Sequence, residues 1–373
     1  MNVPFLDLKR AYEVLAEELE EAVLGSLRSG RYIGGTEVEA FEEAFAAFCG
    51  ARHCVAVANG LEALHLSLRA LGIGAGDEVI VPSNTFIATW LAVSQAGARC
   101  IPVEPDAATS NLDPTLIEAA VTPATRAIIP VHLYGQPADL DPILSIAERH
   151  GLAVLEDAAQ AQGAVYKGRR IGSHGALVAW SFYPGKNLGA LGDAGSVTTD
   201  DADLAARLRL LRNYGSQERY HHEIQGYNSR LDPVQAAALR VKLRHLDRWN
   251  GRRIEIARRY QAAFRDIGLA TPHVLNGAEP VWHLYCVRHS RRDDLRRLLH
   301  EAGIETLIHY PVPPHLQGAY AGMGFPRGSF PIAERLADEL LSLPIDPLMR
   351  DDAVETVIAA VRNSVHALAR AHG

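Results

Sequence analysis

The chain has 373 residues, 48% of them hydrophobic and 22% charged, with a formal net charge of -7. That is enough apolar side chain for a large core, usually split over two domains. The acidic balance excludes a general polyanion-binding surface such as one for nucleic acid, but not a local basic pocket. Cys49, Cys54, Cys100 and Cys286 show no CxxC spacing, so they read as small buried apolar residues, not as zinc or redox ligands.

Met1-Asn2-Val3-Pro4-Phe5-Leu6-Asp7 has no basic stretch followed by an apolar core. No signal peptide is therefore expected, and no apolar run approaches the ~20 residues of a membrane span. A cytoplasmic protein without a membrane partner is the default. Strands are expected over 53–58, 78–82, 99–103, 127–131, 152–156, 176–182 and 195–199, with helices over 61–71, 85–96 and 140–150 between them. Near-continuous apolar strands alternating with helices indicate an α/β protein with a mostly parallel sheet covered on both faces. The pattern then changes. Helices are expected over 203–214, 232–249 and 252–264, an alternating exposed strand over 282–288, and helices over 292–302 and 333–342. The tail reads as a smaller α+β domain, which gives a large domain at 1–245 and a small one at 246–373.

Chemistry-bearing motifs sit at the ends of the expected strands. Asn59-Gly60-Leu61-Glu62-Ala63-Leu64 follows the first. A strand feeding a helix start leaves free N–H groups that favour a phosphate, although a plain capped helix has the same Asn59/Glu62 spacing. Gly72-Ile73-Gly74-Ala75-Gly76-Asp77 looks like a dinucleotide loop but precedes a strand, so it reads as a tight turn. Pro82-Ser83-Asn84-Thr85-Phe86-Ile87-Ala88-Thr89-Trp90 ends the second strand, where ligands of open parallel sheets gather. Phe86 there is placed to stack on a flat ring, with Trp90 one turn on; core packing is the other reading of both.

Asp157 ends the run Leu152-Ala153-Val154-Leu155-Glu156, and Lys186 lies in Ser181-Phe182-Tyr183-Pro184-Gly185-Lys186-Asn187-Leu188-Gly189 after another strand. A carboxylate can keep a heterocyclic nitrogen protonated, and a lysine amine condenses with an aldehyde; pyridoxal 5′-phosphate (PLP) asks for both. Free lysine, with a pKa of about 10.4, is mostly protonated at neutral pH, but low-dielectric surroundings lower that value. Lys186 would then shuttle protons as general base and acid. Outside this context, both are ordinary residues of a strand end and a loop. His221-His222 reads as a polar loop pair. No HExxH spacing and no Gly-x-Ser-x-Gly elbow occurs, so neither a metal site nor a serine hydrolase is expected.

These residues together carry a resemblance. The chain resembles the fold-type I, PLP-dependent sugar aminotransferases of the DegT/DnrJ/EryC1/StrS group along nearly its whole length, from Phe5-Leu6-Asp7-Leu8 to Leu341-Ser342-Leu343-Pro344. The specific pieces are Glu156-Asp157-Ala158-Ala159-Gln160, Ser181-Phe182 with Lys186, and Gly226-Tyr227-Asn228-Ser229-Arg230. The resemblance implies that Lys186 links to the cofactor aldehyde and that Asp157 pairs with the ring nitrogen. It also implies that Gln160 touches the ring hydroxyl, Phe86 stacks on the ring, and Gly60, Leu61 and Ser181 hold the phosphate. Asn228 would reach the phosphate of a neighbouring subunit, which implies a homodimer with shared active sites. Leu61 stands where many relatives have Thr, which removes a hydroxyl contact but not the backbone N–H.

Within the group, the stretches 59–64 and 82–93 look most like enzymes that aminate C3 of a dTDP-3-keto-6-deoxyhexose, in pathways to antibiotics or surface glycans. The expectation is amine transfer from L-glutamate to that keto-sugar, with Tyr183, Arg230, His309 and Tyr310 on the sugar side. Relatives that dehydrate their substrate carry histidine in place of the lysine, so Lys186 argues against a sugar dehydratase. A nucleotide-sugar 4-aminotransferase remains the nearest alternative, and a non-enzymatic PLP-binding regulator the most distant.

Overall fold

Seven short runs, most of them rich in Val, Ile, Leu and Ala, become the strands of one sheet: β1 (His53–Val57), β2 (Glu78–Pro82), β3 (Arg99–Val103), β4 (Thr125–Ile128), β5 (Ala153–Asp157), β6 (Leu177–Ser181) and β7 (Gly195–Thr199). The computed structural model describes residues 2–218 and 220–370. The strand order is β1-β7-β6-β5-β4-β2-β3. Pairs within β3-β2-β4-β5-β6 are parallel, and β7 runs antiparallel to both β6 and β1. No helix lies between β6 and β7, and a direct return of the chain favours antiparallel pairing. The C-terminal ends of β1, β2, β4, β5 and β6 therefore share one edge of the sheet with the N-terminal end of β7.

Side chains alternate between two cores. Val55, Val57, Leu155, Leu177 and Ala179 face the helices Gly60–Ala70, Ile87–Gln95 and Ala202–Leu211. Cys54, Ala56, Val178 and Trp180 face the helices Thr36–Cys49 and Pro233–Leu243. All four cysteines are buried and free, as their scattered spacing implies.

A third core joins the helices Leu246–Phe264 and Asp351–Arg370 to a two-stranded ladder, β8 (Tyr285–Arg288) with β9 (Leu340–Leu343). Val3 belongs to this core, bridged to Ile304. Among the described residues, no helix is long and apolar enough to cross a membrane.

Three expectations change. The segment expected as an exposed strand is β8, whose first three residues are buried. The helix expected over 333–342 ends at Glu339, and Leu340-Leu341-Ser342-Leu343 is a strand. A short apolar run satisfies both periods, and only its partner β8 decides between them. The helix expected over 232–249 breaks after Leu243, where Arg244 and His245 turn and both side chains bond Glu18. The helices Leu8–Val14, Ala16–Arg28, Thr36–Cys49 and Asp351–Arg370 were not assigned from the sequence.

Leu341 is fully buried in β9. Replacing it with alanine is expected to cost about 3 kcal/mol, read as a fall in the urea unfolding midpoint. An unchanged midpoint would contradict a buried strand.

Candidate active site

The shared strand edge carries the candidate residues. Asp157 is the last residue of β5 and only 5% exposed. Its backbone is held on both sides, donating to Pro130 O at 2.9 Å and accepting from His132 N at 3.0 Å. Its carboxylate accepts from Thr89 Oγ1 at 2.9 Å and from Ala159 N at 3.2 Å. With Thr89 donating there, the Thr85 hydroxyl donates to Thr89 at 2.8 Å. Burial pushes the Asp157 carboxyl above its ordinary value, opposed by these donors and by the cation of Lys186. A buried carboxylate with so few donors is a ready partner for a protonated nitrogen.

The helix Gly60–Ala70 starts where β1 ends. Asn59 caps it, its Oδ1 accepting from Glu62 N at 2.9 Å, so one half of the expected capping box is formed. Ala63 N bonds back to Asn59 O, which leaves the N–H groups of Gly60 and Leu61 without an intrahelical acceptor. Gly60 lies against Ser181 so closely that a Cβ added to it would sit 2.6 Å from the serine Cβ. A Cβ on Gly195, at the start of β7, would sit 2.4 Å from the Asn59 carbonyl. Two free N–H groups and the Ser181 hydroxyl are thus brought together at the positive end of a helix, where an anion is favoured.

Lys186 lies on a tight loop. A Cβ on Gly189 would meet Pro184 O at 2.2 Å, so only glycine fits there. Lys186 N donates to Tyr183 O at 2.8 Å. Its neighbour Asn187 is buried, donating from Nδ2 to Asn250 Oδ1 at 2.9 Å and to Val281 O at 3.0 Å. Burial lowers the Lys186 ammonium to about 8, against a smaller opposing pull from Asp157. The loop therefore presents an amine that is substantially free at mildly alkaline pH.

The facing wall comes from the chain after β8. The Phe86 ring, 51% exposed, leans on Tyr310 with centroids 5.3 Å apart. Gln160 donates from Nε2 to the Tyr310 hydroxyl at 3.0 Å and accepts Tyr134 N at 2.6 Å on Oε1. Tyr134 in turn donates its hydroxyl to His309 O at 2.5 Å, and His309 Nδ1 meets Ser342 Oγ at 2.8 Å. Burial, with the nearby Lys186 cation, lowers His309 to about 4, so its imidazole is neutral across the physiological range.

Of the residues singled out in the sequence, Gly60, Leu61, Phe86, Asp157, Gln160, Ser181, Lys186, His309 and Tyr310 meet at this edge. Tyr183 is 60% exposed beside it. Trp90 does not join them: it is fully buried, donates Nε1 to Pro82 O at 2.9 Å and packs on Tyr320. Asn228 is exposed and bridged to Asn213, and Arg230 donates to Asn213 Oδ1 at 3.2 Å and stacks on Tyr214. Neither makes a hydrogen bond to the pocket around Lys186 among the described residues. Thr89, Tyr134 and His283 were not found from the sequence. Two threonines four apart at the start of an apolar helix pointed toward Thr89. Nothing local pointed to Tyr134 or His283, whose neighbours come from distant segments. Among the described residues, no group of His, Cys, Asp and Glu could hold a metal ion.

In ligand-free protein, acetylation of Lys186 is expected to rise with pH to a midpoint near 8, against an ordinary lysine value of 10.5. The sign follows from burial, which disfavours the charged form and lowers a lysine's value. Mass spectrometry of the Lys186 peptide across pH 6 to 11 reads it, and a midpoint at or above about 10 would remove the burial argument.

The residues 13–362 match the model of the DegT/DnrJ/EryC1/StrS aminotransferase family. The chain is 57% identical over 97% of its length to the erythromycin biosynthesis sensory transduction protein EryC1 of Saccharopolyspora erythraea, covering 99% of that protein. It is 56% identical, over 97% of its length and 96% of the relative's, to the dTDP-3-amino-3,4,6-trideoxy-α-D-glucose transaminase of Streptomyces venezuelae. Among solved structures it superimposes on S. venezuelae DesV, crystallised with a ketimine intermediate, with a TM-score of 0.97, 55% identity and 98% coverage of both chains. It also matches ntda of Bacillus subtilis with bound cofactor PMP, with a TM-score of 0.91, 30% identity, and coverage of 98% of this chain and 85% of that one. The chain belongs to the DegT/DnrJ/EryC1/StrS aminotransferase family.

Proposed function

We propose that this aminotransferase uses PLP to move an amino group from L-glutamate to C3 of a dTDP-3-keto-6-deoxyhexose, in the biosynthesis of a deoxyaminosugar. One observation carries the reading: a buried carboxylate, an amine lowered to about 8 and an anion-seeking helix start converge on one strand edge. That set fits PLP. The free N–H groups of Gly60 and Leu61 and the Ser181 hydroxyl would hold the phosphate, and the close approach of Gly60 to Ser181 keeps these donors together. Asp157 would hold the ring nitrogen, Gln160 the ring hydroxyl and Phe86 one ring face. When bound, the cofactor supplies an aldehyde that takes up the amino group and a ring that spreads the charge left on the carbon losing its proton.

The protein's own part is positioning and proton movement. Lys186 Nζ, free of its proton at mildly alkaline pH, would take one from the α-carbon of the amino donor and return one at C3 of the sugar. Asp157, its backbone fixed by Pro130 and His132, would keep a positive nitrogen in place. Neutral His309 and the Tyr310 hydroxyl, with Tyr183, would contact the sugar, while Arg230, held beside Asn228, would do so in the site of a partner copy. The C3 assignment rests on likeness to the transaminase of S. venezuelae, whose name carries the 3-amino sugar. We place Asn228 in the phosphate site of a partner copy. It is exposed and its backbone is bridged to Asn213, and the chain exposes Leu24, Leu27, Tyr32, Ile33, Leu191 and Tyr214, which a second copy would cover.

Incubation with L-glutamate and dTDP-3-keto or dTDP-4-keto sugars side by side, followed by NMR of the product, is expected to place nitrogen at C3. Amination only at C4 would move the protein to the other branch. Lys186→Ala is expected to lose at least about a thousandfold in turnover and to change the absorbance of the bound cofactor. Unchanged turnover and spectrum would remove Lys186 from the chemistry.

A further inference from the structure

A second buried ion lies one residue before Asp157. Glu156 precedes it on β5 and so points to the opposite face of the sheet. Glu156 and His132 are both 0% exposed. His132 Nδ1 accepts from Ala138 N at 3.0 Å, so the ring carries its proton on Nε2 and donates it to Glu156 Oε2 at 3.0 Å. The other oxygen, Oε1, accepts from Gly175 N at 2.6 Å. Burial opposes ionisation of Glu156, but these donors prevail and hold its carboxyl below the ordinary range. Every polar atom of the pair is used: both carboxylate oxygens accept, and the two ring nitrogens fix the histidine in one tautomer.

The ring of His132 ties the first residue of a turn, 132–138, to its last. That turn has few conformations open to it. Tyr134 sits at φ 60, uncommon for a residue with a Cβ, and a Cβ on Gly135 (φ 95) would lie 2.8 Å from His283 N. Three groups of the site hang from it. His132 N–H holds the Asp157 carbonyl at 3.0 Å, Tyr134 N–H holds Gln160 Oε1 at 2.6 Å, and the Tyr134 hydroxyl holds the His309 carbonyl at 2.5 Å.

We infer that His132 and Glu156 are a positioning pair: the buried carboxylate locks the 132–138 turn, and the turn sets Asp157, Gln160 and His309 around the cofactor. This rests on the PLP reading above. Neither residue touches the cofactor; both act through the turn. Glutamine at position 156 keeps the volume but offers one acceptor to two donors, and His132 cannot switch tautomer while Ala138 N–H occupies Nδ1.

The test compares PLP affinity, the induced circular dichroism of bound PLP and ligand-free melting temperature across four proteins. These are the wild type, Glu156→Gln, His132→Gln and the control Glu78→Gln. His132→Gln keeps a donor and an acceptor but puts them on a flexible chain in place of the rigid ring that spans Glu156 and Ala138 N–H. Glu78 is a buried carboxylate that accepts from Thr122 Oγ1 at 2.6 Å at the far end of β2. Both pair variants are expected to bind PLP at least about tenfold more weakly and to show an altered dichroism band at saturation. Glu78→Gln should lower the melting temperature and leave both cofactor readouts alone. Wild-type affinity and dichroism in either pair variant would overturn the inference. Failure of the wild type to bind PLP would instead sink the functional reading on which it rests.

Discussion

The site is organised by the need to keep a carboxylate ionised out of water at Asp157. Burying a charge is costly unless hydrogen bonds and nearby opposite charge replace the lost solvent. The fold meets that need from several directions. A threonine relay arrives from the helix Ile87–Gln95, one N–H from Ala159, and backbone clamps from Pro130 and His132. What is left over is an uncompensated demand for positive charge, which a protonated ring nitrogen would answer. Remove the carboxylate, and the relay, the clamps and the lowered Lys186 amine lose their common purpose.

The same burial works in opposite senses on acids and bases. It raises Asp157 and lowers Lys186, His309 and His283. The histidines nearest the amine are thereby kept from competing with it as cations. His283 meets Asn187 Oδ1 at 3.3 Å; because Asn187 spends its amide nitrogen on Asn250 and Val281, its oxygen is left to accept. Beside the Asp157 carboxylate, Lys186 thus carries the mobile proton while the histidines around it stay neutral, which would suit a residue that takes a proton and gives it back at different carbons.

Much of this was legible in the sequence because a parallel sheet writes itself plainly. Most of its strands are buried on both faces, so β1, β2 and β7, with the edge strand β3, could be read almost to the residue, and the residues after each strand were natural candidates. Asp157, Lys186 and Gly60 were visible for that reason. What could not be read depended on partners distant in the chain. Leu340–Leu343 is a strand because β8 lies beside it, not because of its own composition. Trp90 entered the core because Tyr320 and the Pro82 carbonyl receive it. Tyr134 joins the site through Gln160 and His309, residues 26 and 175 positions away. The break at Arg244 and His245 fell among good helix formers, where local propensity is silent.

The antiparallel strand β7 has a consequence in time as well as in space. β1 stands at the margin of the sheet, and among the described residues β7 is its one strand neighbour there. Residues 53–57 therefore have no strand to join until 195–199 have been made and have threaded in beside β6. Closing so long a loop is slow compared with local helix formation. The helix start at Gly60 follows β1 directly, and its spacing to Ser181 exists only once β7 has brought β1 and β6 to their final separation. During synthesis the anion seat is thus assembled after most of the large sheet. The anion seat proposed above would therefore be a property of the finished sheet, and an N-terminal fragment that stops before residue 195 would lack the strand that sets its spacing.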